Sequence, residues 1–258
     1  MAFKFLKTGT ASAELAKKQA VEAEQRKAEQ GKLFRFWMKE GEEARITFVD
    51  GSLSEEGFLL PPRFYEHNLF LNGQWNNFFV CPEKTNPESK DTCPICESDD
   101  RPSLVALFTI IDHREFTGTK DKTKKYKDTK KLLVAKPQTF ELLNRLAIKR
   151  GGLACCTFDV SRVGDKAAAV GSLFDFVEKT DLKVLQAKYQ REVVDPKTNV
   201  KTKQSYFTPA DYEHEITYRT GLQLKELGLG KNGGGGGETA SPAGATAPED
   251  GVDYSNQL

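Results

Sequence analysis

Three of the chain's five cysteines fall between Cys81 and Cys96, and that crowding limits the possible folds more than any other feature. Cys93-Pro-Ile-Cys96 is a C-x2-C knuckle. Cys81 stands upstream of it, across a polar loop, Pro82 to Thr92, with almost nothing to bury. Thiolates at such spacing suit a tetrahedral Zn²⁺, which takes S and N donors and imposes no geometry of its own. Apparent binding of roughly 10–16 kcal/mol in small zinc modules is enough to fix a loop that cannot fold by burial. A small, odd number of cysteines argues against a secreted disulfide framework; a reducing, cytoplasmic compartment is expected. A redox-active pair or an iron–sulfur cluster is the competing reading of the same cysteines.

A closed structural site needs a fourth ligand, and His67, His113, Cys155 and Cys156 are the candidates. RFYEHNLFL (from Arg63) and WNNFFV (from Trp75) flank Asn72-Gly73-Gln74 and read as a β-hairpin. With all three residues in the loop, Tyr65 sits opposite Cys81 and His67 opposite Phe79. His67 and Cys81 are then diagonal neighbours on one face. A shorter loop would put them on opposite faces unless the strand bends. Cys155 and Cys156 are adjacent and cannot both point one way along a strand, so one is more simply a small buried side chain. The expected centre is one structural zinc held by His67, Cys81, Cys93 and Cys96, with no position left for an activated water.

The rest of the chain reads as mainly β with flanking helices, most economically an OB-fold-like barrel with an inserted zinc-binding subdomain at about residues 64–100. EEARITFVDG, LVALFTIIDH and KLLVAK are strands, the second apolar on both parities as in a strand buried on both faces. Pro137 opens a helix that Gly151 stops. CTFDVSRVGDKAAAVGSLFDF reads as a second hairpin around Gly164-Asp165. Further helices are expected near Asp181 to Arg191 and from Pro209, the latter capped by Thr208 with Asp211 at its third position. Residues 1–31 form an expected helical arm, 32–230 the core, and 231–258 a Gly-rich linker and mildly acidic tail. No secretory signal and no membrane span is legible.

Formal net charge is +1, yet the stretch from Asn232 onward holds four acids and no Lys or Arg, leaving +5 for the remainder. The run Arg114 to Lys131 alone carries eight Lys or Arg against three acids, also +5. Aromatics lie close by. In the register above, Phe64, Glu66, Asn68, Phe70, Asn76 and Phe78 share a wet hairpin face, the kind of surface on which unpaired bases stack at ~1–3 kcal/mol each. Lys32 to Lys39 adds Arg35, Phe36 and Trp37. Expected contacts to a polynucleotide are Arg35, Phe36, Trp37, Phe64, Phe70 and Phe78, with Arg114, Phe116, Lys120, Lys122, Lys124, Lys125, Tyr126, Lys127, Lys130 and Lys131 from the basic run. Core packing of the rings and a merely solvated lysine loop are the bland alternatives.

ARITFVDG, YEHNLFLNGQWNNFFVC and DTCPICES together resemble the zinc-containing single-stranded DNA-binding protein family of T-even bacteriophages. The resemblance covers roughly Lys4 to Ile148. It implies zinc ligation by the same four residues and a non-enzymatic, sequence-tolerant coat for single-stranded DNA in replication, recombination and repair. It also implies self-contacts through an arm bearing Lys4 and Lys7, and docking of replication proteins through the tail. The chain departs from the family pattern after the zinc loop, where ESDDRPSLV is acidic and lacks an aromatic. A zinc-ribbon-like recruitment or transcription factor, binding duplex DNA or protein, is the alternative. Glu88-Ser89-Lys90 offers a nuclease-like E-x-K, but inside the zinc loop; no phosphate-binding or hydrolase motif accompanies it.

Overall fold

In the computed structural model the chain divides into two units, Met1–Lys32 and Leu33–Leu258. The structure describes Gly9, Ser12 and residues 31–71, 74–118, 122–194 and 200–230. The expected arm with Lys4 and Lys7, the tail from residue 231, Lys120 and Asn72-Gly73 lie outside the described residues.

The second unit is mainly β, with a few helices. Its strands are β1 (Glu43–Phe48), β2 (Arg63–Leu71), β3 (Gln74–Val80), β4 (Ser103–Asp112), β5 (Phe116–Thr117), β6 (Lys125–Tyr126), β7 (Thr129–Ala135), β8 (Cys156–Ser161), β9 (Leu173–Lys179), β10 (Gln190–Val194) and β11 (Lys201–Ser205). Seven of them make one sheet in the order β3-β2-β4-β1-β8-β9, with β7 on the other edge of β4. β4 organises it. On one edge its first half pairs with β2 (Glu66 with Ser103) and its last residues with β1 (Ile46 with Asp112). The opposite edge is taken by β7 from Ala106 to Asp112. As its sequence indicates, β4 is covered on both faces. Ala106, Phe108 and Ile110 enter the main core with Phe48 and Phe158, while Val105 and Leu107 face a second cluster.

The ladder does not close into a barrel, which corrects the expected OB-like closure. The free edge of β7 meets only a short extended strap. Leu132 N–H donates to Phe34 O at 2.9 Å, Phe36 N–H to Leu132 O at 2.7 Å, and Met38 N–H to Ala169 O at 2.7 Å. The strap buries Phe36 and Met38, and then turns at Gly41, whose φ of 75° suits glycine. It is a clamp of isolated backbone bonds rather than a closing strand.

The helix Pro137–Arg150 forms as expected, with Pro at its start and Gly151 as a left-handed cap at φ 65°. It buries Leu143 and Ala147 against the main core. β8 and β9 pair, but Ser161 faces Leu173, so the connection is the whole stretch 162–172 rather than a tight turn at Gly164-Asp165. Asp211 caps the helix Tyr212–Glu215 itself, and a further helix, Gly221–Glu226, carries a Thr220 capping box.

Candidate metal centre and nucleic-acid face

The hairpin register at its metal end is the one read from the sequence. His67 pairs with Phe79 and Glu66 with Val80, and Cys81 N–H donates to Tyr65 O at 2.8 Å. The tip differs: Leu71 pairs with Gln74, and a register shift between Leu69 and Leu71 absorbs the extra residue. A bulge on β3, where Trp75 and Asn76 together stand opposite Phe70, therefore keeps His67 and Cys81 on one face although the loop is shorter. Beyond Cys81 the chain enters the helix Pro82–Thr85, which Thr85 Oγ1 ties back by accepting from Tyr65 N–H at 3.0 Å. Glu83 then accepts from Cys93 N–H at 3.1 Å, bringing the knuckle under the hairpin.

The ligand atoms of His67, Cys81, Cys93 and Cys96 converge within 4.8 Å of one another and could hold a metal ion. His67 Nε2 lies 3.4 Å from Cys93 Sγ and 3.6 Å from Cys96 Sγ, and Cys81 Sγ lies 3.6 Å from Cys96 Sγ. Donors ~2.0–2.3 Å from a tetrahedral centre stand roughly 3.5–3.8 Å apart, so these separations fit a zinc-sized ion. The other ring nitrogen, Nδ1, is 2.5 Å from Asp100 Oδ2. That carboxylate fixes the tautomer presenting Nε2 as a ligand. Burial lowers the basicity of His67, but the bonds to Cys93 and Asp100 outweigh it and raise the imidazole above its ordinary value. Burial, followed by Cys81 and Cys93, pushes the Cys96 thiol far above its ordinary range. Crowded sulfurs resist ionising together; a bound cation inverts that preference.

The sequence reading missed the lid over this centre. Leu224 packs with Cys81, Cys93 and Ile95, and Leu229 lies against the same cluster. Gly221 N–H donates to Asp91 Oδ2 at 2.8 Å. A Cβ at Gly221 would sit 1.9 Å from Thr92 O, so the helix reaches the loop only because residue 221 is glycine. The Thr220 cap followed by Gly is visible in sequence as a helix start, but its docking partner is not.

His113, the runner-up ligand, is engaged elsewhere. Its Nδ1 lies 2.5 Å from Asp128 Oδ1 and its Nε2 2.8 Å from Thr47 Oγ1, which contacts Thr157 Oγ1 at 2.8 Å. The acid–imidazole–hydroxyl order imitates a nucleophile triad, but Thr47 is 1% exposed and presents no hydroxyl to a substrate. Glu88-Ser89-Lys90 lies in the 3-10 turn Pro87–Ser89 and its left-handed cap. Cys155 and Cys156 are both buried, Cys156 in the main core and Cys155 beside Val49 and Phe207.

The expected polynucleotide contacts separate into three groups. Phe36, Phe64, Tyr126 and Lys131 are buried, so they offer no stacking face or free charge. Phe64 packs with Val80, Val105 and Leu107 under Tyr212 and Ile216, which corrects the expected wet hairpin face. Glu66 on that face is likewise buried. A second group, which shares the buried Lys131 with the first, is paired with acids of the chain or half-buried. Arg114 contacts Asp112 at 2.8 Å and Glu42 at 3.2 Å, and Lys131 contacts Asp112 at 3.1 Å. Burial alone would raise Asp112; Arg114 and Lys131 overcome it and hold the carboxyl below its usual range. Lys125 pairs with Glu115 at 2.7 Å, and Lys130, half-buried, has its amine depressed chiefly by burial. The third group is open. Phe70 is exposed and in ring contact at 5.2 Å with the half-buried Trp75. Lys122, Lys124 and Lys127 are exposed and without an ion pair among the described residues.

The strap joins what the sequence left separate. Arg35 lies over the Phe78 ring of the hairpin at 3.8 Å, while Trp37 O accepts from Arg114 Nη2 at 3.0 Å. Arg114 in turn lies 5.2 Å from the Phe116 ring at the base of the basic flap formed by β5 and β6. Beside the flap, Arg45, His113, Arg114 and Lys127 line a cleft of about 600 Å³ together with Glu43, Asp159 and Asp175, and Arg45 is paired with Asp159 at 2.7 Å. No helix among the described residues is long and apolar enough to cross a membrane. Fold and site thus define a mainly β protein with a buried cluster of one histidine and three cysteines. No family model, no curated protein and no solved structure matches the chain.

Proposed function

We propose that the protein binds single-stranded DNA without catalysis and with little sequence preference, as a coat in phage DNA replication, recombination and repair in the host cytoplasm. The observation that carries this reading is the strap. It touches the ring of Phe78 through Arg35 and the base of the basic flap through Trp37 O, and so links the hairpin's aromatics to the flap's cations. Rings and free lysines along one path suit unpaired bases and the backbone between them. In this reading the open sheet with its strap serves as an OB-like platform, and the ion at His67, Cys81, Cys93 and Cys96 is one structural Zn²⁺ that sets the hairpin's pose. Residues 1–31 make contacts between neighbouring copies, and residues 231–258 dock replication or recombination proteins. The residue pattern shared with the T-even phage family supports the same reading.

Titrating the tryptophan fluorescence of the full chain with oligo-dT, and with duplex of equal length in matched salt, tests it. Preference for the single strand is expected, with log K falling by about 0.7 per phosphate neutralised as log salt rises. Equal or stronger duplex binding would favour a recruitment or transcription factor instead.

A further inference from the structure

We infer that Arg35, lying over Phe78 and locked there by Glu66, is a stacking platform for one unpaired base, with Glu66 as its positioning residue. The inference rests on the single-strand reading above. Backbone bonds on either side, from Leu132 to Phe34 and from Phe36 to Leu132, hold the strap still at residue 35. Glu66 projects from β2 with its side chain 5% exposed and takes both ends of the guanidinium, Nη1 to Oε2 at 2.9 Å and Nη2 to Oε1 at 2.5 Å. A two-point fork of this kind fixes the orientation of the plane as well as its position.

The Phe78 ring lies beneath that plane, 3.8 Å from the guanidinium carbon to the ring centroid, and the Arg35 side chain keeps 25% exposure. The face of Phe78 that the sequence offered to a base is therefore already covered, and the stack is extended outward by one layer. With its charge balanced by Glu66, Arg35 is a poor anchor for phosphate. A guanidinium plane remains a good surface for a base, as aromatic rings are. A lysine ammonium, compact and strongly hydrated, does not provide such a surface. Across the ladder from Phe78, Asn68 carries a buried carbonyl oxygen without a hydrogen-bond partner, so polar capacity remains beside the platform. Two residues further along β2, the exposed Phe70 with Trp75 continues the ring surface toward the hairpin tip.

The test compares full-length wild-type protein, Arg35→Lys, Phe78→Leu and the double variant. Each is titrated with oligo-dT and with an abasic oligomer carrying the same phosphates, and thermal unfolding is recorded alongside. Arg35→Lys is expected to lose about 10-fold in affinity for oligo-dT with an unchanged salt slope. It should bind the abasic oligomer as the wild type does. Phe78→Leu should lose a similar amount, and the double variant little more, because both changes remove one platform. Wild-type affinity of Arg35→Lys for oligo-dT, or an equal loss on the abasic oligomer, would overturn the platform while leaving the single-strand reading intact. Failure of the wild type to bind oligo-dT would instead overturn that reading itself.

Discussion

Asp112 shows how a basic sequence run is converted into structure. Its carboxylate is fully buried and faces both Arg114 and Lys131, so two of the eight cations in Arg114 to Lys131 neutralise one internal acid. Removing one member of such a cluster leaves buried charge uncompensated and typically costs about 3–5 kcal/mol. Asp112→Asn should therefore lower unfolding free energy by about that amount in a urea titration. The pH dependence has a definite sign. Because the folded-state value of Asp112 is depressed, its contribution is fully present above the ordinary carboxylate value of 3.8 and is lost as pH falls through the folded value. The Asn variant should show a flatter acid limb. Asp100 offers a second test. It orients His67 without being one of the four clustered donors. Asp100→Ala should weaken zinc affinity about 10–100-fold in a chelator competition while leaving stoichiometry unchanged. An unaltered affinity would mean that the carboxylate does not orient the imidazole.

Local elements were largely legible in the sequence, and their covers were not. Alternation and the Asn-Gly tip indicated the hairpin, the double-parity apolar run indicated β4, and Pro137 with Gly151 bounded the long helix, because each signal is local. The burial of Phe36, Phe64 and Lys131 was not legible. It depends on the strap, on Tyr212 and Ile216, and on Asp112, all brought in from elsewhere in the chain. The convergence of His67 with the three cysteines was readable because hairpin register and C-x2-C spacing are both short-range. Its lid was not, since only tertiary contact reveals why Gly221 cannot carry a side chain. Gly221→Ala should force the helix Gly221–Glu226 away from Thr92 and cost about 1–3 kcal/mol. It should also speed metal loss to a chelator, followed with a colorimetric metal indicator. A variant that releases metal at the wild-type rate would show that the helix does not protect the centre.

At the scale of the whole molecule, a single buried cluster links the hairpin, the polar loop Pro82 to Thr92 and the helix that covers them. The loop carries few apolar side chains, so in the proposed reading its course depends on the ion at this cluster far more than on burial. Stripping the metal should lower the thermal midpoint. It should also weaken oligo-dT binding, because Phe70, Trp75 and Phe78 stand on the hairpin that the cluster holds. Unchanged binding by the metal-free protein would separate the centre from the proposed track. The most direct test of the central claim is elemental analysis of the purified full-length chain. One zinc per chain is predicted, absent from Cys93→Ser and released when the cluster's thiols are blocked; zinc-free wild-type protein that is still folded would contradict it.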